Sequence, residues 1–197
     1  PWSIRNTLIH QQFVLMQTTD SEVLWRGNNS SATGHSYVDV ENIVLDSLAP
    51  DDRAELERQP DELAQREWFQ KRAMAYIRAN PGTFVRMTGL KLFHFWWFAP
   101  QTGVLYPPAW LRMYQLYYVG ILVLVVVGAQ RLARSAPTVV LRGLLLALFL
   151  FGLSGLQSLY YVEGRHRWAV EPMLMAVAGG GAAVLVSRKF RAPLFDS

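Results

Sequence analysis

Residues 119–127 read Val-Gly-Ile-Leu-Val-Leu-Val-Val-Val, and they lie within an apolar stretch that runs from Trp110 to about Ala129. Two further stretches of similar length follow, near residues 143–161 and 168–187. A helix rises about 1.5 Å per residue, so about 20 residues cover the roughly 30 Å hydrocarbon core of a bilayer. The sequence therefore predicts a mainly α-helical integral membrane protein with about three transmembrane helices.

The charged residues divide the chain into two predicted domains. Residues 1–100 carry 10 Lys and Arg against 12 Asp and Glu, whereas residues 101–197 carry 9 against 3. The basic residues of the second half gather at the ends of the apolar stretches, which is typical of membrane flanks and not of a nucleic-acid groove. We predict a soluble, mixed but mostly helical domain over 1–100 that ends in an interfacial helix, a membrane domain over 101–197, and no nucleic-acid partner.

The distribution of positive charge also predicts the orientation in the membrane. Arg131, Arg134 and Arg142 separate the first two spans, and Arg188, Lys189 and Arg191 follow the third. The positive-inside rule places both groups in the cytoplasm. The N-terminal half and the connection 162–167 then lie on the outer side, which is the periplasmic side of a bacterial inner membrane, and the C-terminus is cytoplasmic.

Local signals predict the elements of the first domain. The run Phe13-Val14-Leu15-Met16 indicates a strand, and residues 25–36, rich in Gly, Asn and Ser, indicate a loop. Asp61 is the expected N-cap of a helix that ends near Ala79. Asn80-Pro81 predicts the start of another helix, with asparagine as its cap and proline at its first position. This helix is expected to end in an aromatic segment at the membrane interface.

A basic motif, Arg165-His166-Arg167, lies on the outer side against the positive-inside rule. The planar guanidinium of arginine binds phosphate oxygens in a bidentate manner, and a lipid phosphate or pyrophosphate is the natural partner at headgroup depth. We predict that Arg165, His166 and Arg167 bind a lipid phosphate. The alternative is that the arginines contact ordinary membrane lipids, or form structural ion pairs with Glu163 and Glu171.

Other kinds of functional site find little support in the sequence. The absence of cysteine excludes disulfides, thiolate metal ligands and cysteine nucleophiles. His10, His35 and His166 lack metal-ligand spacing, and His94 is expected to be packed or to contact headgroups. No catalytic triad signature or phosphate loop is present, so we expect no metal and no cofactor in this chain. Glu171, a carboxylate just inside a span, is expected to be structural, with a catalytic role as the alternative. Gly179-Gly180-Gly181 indicates close helix packing in the third span.

Four segments occur in order along the chain: Pro1–Asn6, Leu24–Gly34, Ala73–Phe84 with Lys91–Trp96, and Arg165–Pro172. Together they resemble the C-terminal part of bacterial polytopic glycosyltransferases of the C-type fold (GT-C), which are relatives of protein O-mannosyltransferases and aminoarabinose transferases. The resemblance implies inverting transfer of a sugar from a polyprenyl-phosphate donor to an acceptor on the outer face. It also implies that Arg165 and Arg167 lie near the donor phosphate.

The resemblance covers only part of the family's architecture. In the family the catalytic carboxylates lie in early outer loops, and no segment of this chain corresponds to them. The resemblance therefore implies a C-terminal portion that is inactive alone and is the tail of a longer protein. The alternative is a non-catalytic subunit, a truncated relative that stabilises a complex of membrane proteins. A channel or transporter is less well supported, because three spans with one intramembrane carboxylate provide no evident ion path.

Overall fold

A computed structural model describes residues 1–14, 17–39, 42–99 and 107–190, with side chains described as far as Ser187. Within these ranges the protein is mainly helical and contains no β-strand, only an isolated antiparallel bridge between Tyr37 and Ile43. Two 3-10 turns cover Val44–Ser47 and Gly164–Ala169. The α-helices are α1 (Trp2–His10), α2 (Asp20–Gly27), α3 (Pro50–Glu57), α4 (Glu62–Ala79), α5 (Pro81–Trp96), α6 (Pro108–Ala133), α7 (Pro137–Ser158) and α8 (Glu171–Phe190).

The strand predicted at residues 13–16 is wrong for its first two residues, and Leu15 and Met16 lie outside the described residues. Helix α1 ends at His10, and the left-handed backbone of Gln11 (φ 54°) closes the helix. Val14 follows in irregular chain with its side chain buried. A short apolar run signals burial, but it becomes a strand only where a neighbouring strand satisfies its backbone hydrogen bonds. The described part of the predicted mixed domain is therefore helical.

The protein consists of two compact units. The first contains the described residues between 1 and 104 together with Gly155–Gly164, and the second contains those between 105 and 154 together with those from Arg165 onwards. The first unit thus includes a short piece of chain from the end of the predicted second span.

The core of the first unit forms where α2 packs against α4. The rings of Trp25 and Phe69 lie 5.5 Å apart, and Ala73 is fully buried one turn further along α4. Trp68 and Val44 complete this cluster. At its edge Arg66 forms two hydrogen bonds to the carboxylate of Asp20, at 2.7 and 2.8 Å. This core fixes the loop that follows α2.

The predicted boundary between α4 and α5 is confirmed. The carboxylate of Asp61 accepts a hydrogen bond from the Ala64 backbone N–H at 2.8 Å, as expected for an N-cap. Pro81 is the first residue of α5. Asn80 stands between the helices, but its side chain donates to the carbonyl of Tyr76 (3.1 Å) and so closes α4 without capping α5.

Two helices of the second unit, α6 and α7, are long and apolar enough to cross a membrane. Only 11% of the most apolar 18-residue window of each is buried within the protein. The described apolar stretch of α8, Glu171–Ser187, is shorter. Helix α7 ends at Ser158, before the predicted residue 161, and α8 begins at Glu171 because the chain from Gly164 to Ala169 forms a 3-10 turn.

Helices α6 and α8 approach each other closely at two glycines. A side chain on Gly181 would collide with the backbone carbonyl of Leu124, and one on Gly128 would collide with the carbonyl of Val177. Gly179 and Gly180 have open space where a side chain would project. The predicted role of the glycine triplet in helix packing is therefore confirmed for Gly181 and wrong for its two neighbours.

Candidate functional site

The predicted lipid-phosphate residues lie on the 3-10 turn Gly164–Ala169. Arg165 is exposed and His166 is half-buried, whereas Arg167 is only 3% exposed. A 3-10 turn has about three residues per turn, so residues two apart face different directions. The turn thus leaves Arg165 exposed and directs the guanidinium of Arg167 into the second unit.

Arg167 packs against an aromatic residue of α6. Its guanidinium carbon lies 5.1 Å from the centre of the Tyr118 ring, and Tyr118 is 1% exposed. A cation above an aromatic face is attracted by the negative potential of the ring, and this attraction strengthens where water is excluded. Arg167 therefore holds the turn against α6.

Glu171, at the start of α8, accepts a hydrogen bond from the hydroxyl of Tyr114 at 2.8 Å. A carboxylate in the first turn of a helix also interacts favourably with the helix dipole. Tyr114 and Tyr118 are four residues apart and therefore share one face of α6. The partner that the structure describes for Glu171 is thus a tyrosine, and the predicted ion pairing of Glu163 and Glu171 stays a prediction.

In the first unit the polar loop after α2 is built around two buried asparagines. The amide of Asn28 donates to the carbonyls of Leu24 and Leu159, both at 2.8 Å. The amide of Asn29 donates to the carbonyl of Trp25 (2.8 Å), and its oxygen accepts from the backbone N–H of Ser31 (2.7 Å). Their hydrogen-bonding groups are used within the protein, so these asparagines shape the loop.

Lys91 is a fully buried cation in the same unit. Its ammonium group donates to the carbonyl of Tyr160 (2.7 Å), the carbonyl of Gly27 (3.1 Å) and the side-chain oxygen of Asn28 (3.3 Å). All three acceptors are neutral. Burial lowers the pKa of Lys91 to about 8, because removal from water disfavours the charged form. Neither the burial of Lys91 nor its contacts were predicted from the sequence.

His35 and His94 form a hydrogen-bonded pair whose tautomers the geometry determines. Nδ1 of His35 lies 2.7 Å from the carbonyl oxygen of Val162, which can only accept, so this nitrogen carries a proton. In the neutral ring Nε2 of His35 is then an acceptor, and Nδ1 of His94, 2.8 Å away, donates to it. Burial is the main cause that lowers the pKa of each histidine, and the neutral forms fit this geometry.

Three buried side chains thus converge on one short segment of main chain, residues 159–162. Asn28, Lys91 and His35 donate to the carbonyls of Leu159, Tyr160 and Val162, in that order. The backbone N–H of Val162 in turn donates to the carbonyl of Gly34 at 2.9 Å. In sequence this segment directly precedes the 3-10 turn Gly164–Ala169, which we call the basic turn. These hydrogen bonds hold the main chain of residues 159–162 within the first unit.

A small cavity of about 110 Å³ borders the loop after α2. The exposed Arg86 and the half-buried Tyr76 are among its lining residues. Ligand pockets usually have volumes of about 300 Å³ or more. The cavity can hold a few water molecules or a small polar group, so it is too small for a sugar ring with its phosphate.

Neither a metal site nor a similarity to known proteins identifies the function of this chain. In the described ranges no group of three or more His, Cys, Asp or Glu side chains is arranged to hold a metal ion. Comparisons with protein-family models, curated proteins and solved structures find no match to this chain. The functional interpretation therefore rests on the chemistry of the residues.

Some residues of the candidate site were predicted from the sequence, and others were found only in the structure. Arg165, His166 and Arg167 lie on one turn with Glu171 following it, as their adjacency in sequence requires. Lys91 and the pair of His35 and His94 join segments 59 to 69 residues apart, so no local spacing could reveal them. The one signal available was a lysine in the otherwise apolar, aromatic end of α5.

Proposed function

We propose that the chain is an integral protein of a bacterial inner membrane, with α6, α7 and α8 as its spans and the first unit on the periplasmic side. The exposed apolar surface of α6 and α7 supports this placement, because such helices require lipid or another protein around them. Acidic residues are absent from 107–161 and 172–190, and the basic residues concentrate at the ends assigned to the cytoplasm.

Within this placement, we propose that the turn Gly164–Ala169 binds the phosphate of a polyprenyl-phosphate sugar donor, as part of the C-terminal portion of a membrane glycosyltransferase. The observation that carries the proposal is the exposed Arg165 on the same turn as a buried second arginine. Trp168, 68% exposed on the same turn, is suited to the headgroup region. A cation there stabilises the negative charge that develops on the leaving phosphate.

The two arginines have different roles in this proposal. Arg165 contacts the phosphate directly, and His166, half-buried next to it, contributes a second donor. Arg167 acts as a positioning residue, because its guanidinium is committed to the face of Tyr118. Replacing either arginine therefore impairs donor binding, but only replacement of Arg167 also disturbs the packing of the second unit.

A non-catalytic subunit of a larger membrane complex is the second candidate function. It is favoured by the many large apolar side chains that α7 leaves exposed, including Leu144, Leu145 and Leu148. Another membrane protein could cover this surface as well as lipid does. In that case Arg165 contacts ordinary headgroups, and the polyprenyl donor has no preferred site.

We expect the substitution Arg165→Ala to weaken binding of undecaprenyl phosphate by about 10- to 100-fold, since a charge-assisted hydrogen bond contributes about 1.5–3 kcal/mol. The measurement is titration of the natural full-length protein in detergent, with bound lipid counted by native mass spectrometry. Arg165→Lys is expected to be intermediate, because lysine keeps the charge but loses the bidentate geometry.

The matched control is Arg112→Ala, which removes another exposed arginine of the second unit and is expected to leave binding unchanged. Equal affinity of wild type and Arg165→Ala would contradict the donor-site proposal. If wild type also fails to bind undecaprenyl phosphate but purifies with another membrane protein at fixed stoichiometry, the subunit hypothesis is correct.

A further inference from the structure

A cleft of about 520 Å³ lies between α6 and α8, at the ends of the helices away from the basic turn. Its lining combines apolar with polar and cationic residues. The apolar ones are Val127, Val184 and Leu185, and the others are Gln130, Arg131, Arg134, Ser135 and Ser187. The cleft lies entirely within the second unit.

The positive charge of this cleft is not balanced by the helices that form it. Arg131 and Arg134 are both exposed, and residues 107–161 and 172–190 contain no Asp or Glu. The hydroxyls of Ser135 and Ser187 donate to the backbone carbonyls of Arg131 and Ala183. Among the described lining residues, the groups that remain to bind an anion are therefore the two guanidinium groups and the amide of Gln130.

We propose that this cleft binds the phosphate headgroup of an anionic phospholipid, with an acyl chain along Val127, Val184 and Leu185. Charge complementarity selects an anion, because two arginines three residues apart can hold one phosphate. The apolar lining residues favour a lipid over a soluble phosphate, because a free ion gains nothing from contact with valine and leucine. Basic pockets between membrane helices are known sites for anionic headgroups.

This inference rests on the proposed membrane placement, but it is independent of the donor site at Arg165. It concerns the opposite ends of α6 and α8 and a different lipid. A bound anionic lipid would also connect α6 to α8 beyond the contacts at Gly128 and Gly181, and so contribute to holding the helix pair together.

The test compares binding of phosphatidylglycerol and phosphatidylcholine to the full chain in detergent, by native mass spectrometry. Wild type is expected to prefer phosphatidylglycerol. The double variant Arg131→Ala/Arg134→Ala is expected to bind it about 25-fold more weakly, at about fivefold for each basic residue. The control Arg142→Ala changes an exposed arginine outside the cleft and is expected to bind like wild type.

Three results would overturn the inference. They are equal binding of phosphatidylglycerol by the double variant and wild type, equal weakening by the Arg142→Ala control, and displacement of the lipid by excess inorganic phosphate. A lowered unfolding temperature of the double variant without added lipid would indicate a folding defect. In that case the variant Arg131→Lys/Arg134→Lys must retain the preference for phosphatidylglycerol. If the cleft shows no preference for phosphatidylglycerol but undecaprenyl phosphate binds normally, the donor-site proposal still stands.

Discussion

Replacing Gly181 with leucine is expected to separate α6 from α8 and to lower the free energy of unfolding by about 3 kcal/mol or more. The physical reason is that a side chain at this position would collide with the backbone carbonyl of Leu124. A rotamer change cannot relieve a collision with backbone, so the helices must move apart. Thermal unfolding of the purified protein in detergent measures the effect.

The same helix supplies the matched control. Gly179 lies two residues earlier and has open space around it, so Gly179→Leu adds an apolar side chain without a collision. Leucine also has a higher helix propensity than glycine, by about 1 kcal/mol or less. This control is therefore expected to be neutral or slightly stabilising. Equal destabilisation by the two variants would contradict the close approach of α6 and α8 at Gly181.

The second large effect is expected from Lys91→Met, which removes the buried ammonium group but keeps a side chain of similar length. The carbonyls of Gly27 and Tyr160 and the side-chain oxygen of Asn28 then lose a hydrogen-bond donor. Leaving a buried acceptor unsatisfied costs about 1–3 kcal/mol, and the summed cost for three acceptors exceeds the roughly 3 kcal/mol gained by removing the buried charge. We expect a net loss of about 2 kcal/mol at pH 7 in denaturant unfolding.

The pH dependence of this difference gives a sharper test. The pKa of Lys91 is lowered to about 8, below its ordinary value, so between pH 8 and pH 10 the unfolded chain binds more protons than the folded one. Stability contributed by Lys91 therefore rises with pH, by roughly 2 kcal/mol from pH 7 to pH 10. The gap between wild type and Lys91→Met is expected to widen by that amount.

Lys71 provides the control for the lysine substitution, because its side chain is 79% exposed and pairs with Glu67 on the helix surface. Lys71→Met is expected to change stability by less than about 0.5 kcal/mol, with no dependence on pH between 7 and 10. If the gap for Lys91→Met stays constant over this pH range, Lys91 is not buried as a cation among neutral acceptors.

Features of the fold that depend on residues adjacent in sequence were predictable from the sequence. The N-cap at Asp61 and the start of α5 at Pro81 follow from local backbone chemistry and lie where expected. The strand expected at Phe13 and Val14 failed because an apolar run indicates burial without specifying a partner.

The candidate site was predictable only in part, because some of its contacts join residues that are distant in sequence. Arg165, His166 and Arg167 are adjacent in sequence, so any fold keeps them together, but their different exposure depends on the 3-10 turn. The pair of His35 and His94 forms because α5 and the loop after α2 meet in three dimensions. Likewise, Gly181 differs from Gly179 only through the face of α8 that meets α6.

Site-specific labelling with a membrane-impermeant maleimide tests the proposed membrane placement most directly. The chain contains no cysteine, so an introduced thiol reports a single position within it. Three exposed residues suit the experiment: Ser30 in the first unit, Gly164 on the basic turn and Ser135 between α6 and α7. We predict that Ser30→Cys and Gly164→Cys react when only the periplasmic side is accessible, and that Ser135→Cys reacts only after the inner membrane is permeabilised. Equal reactivity of all three from the periplasmic side, or recovery of the protein without the membrane fraction, would contradict the account.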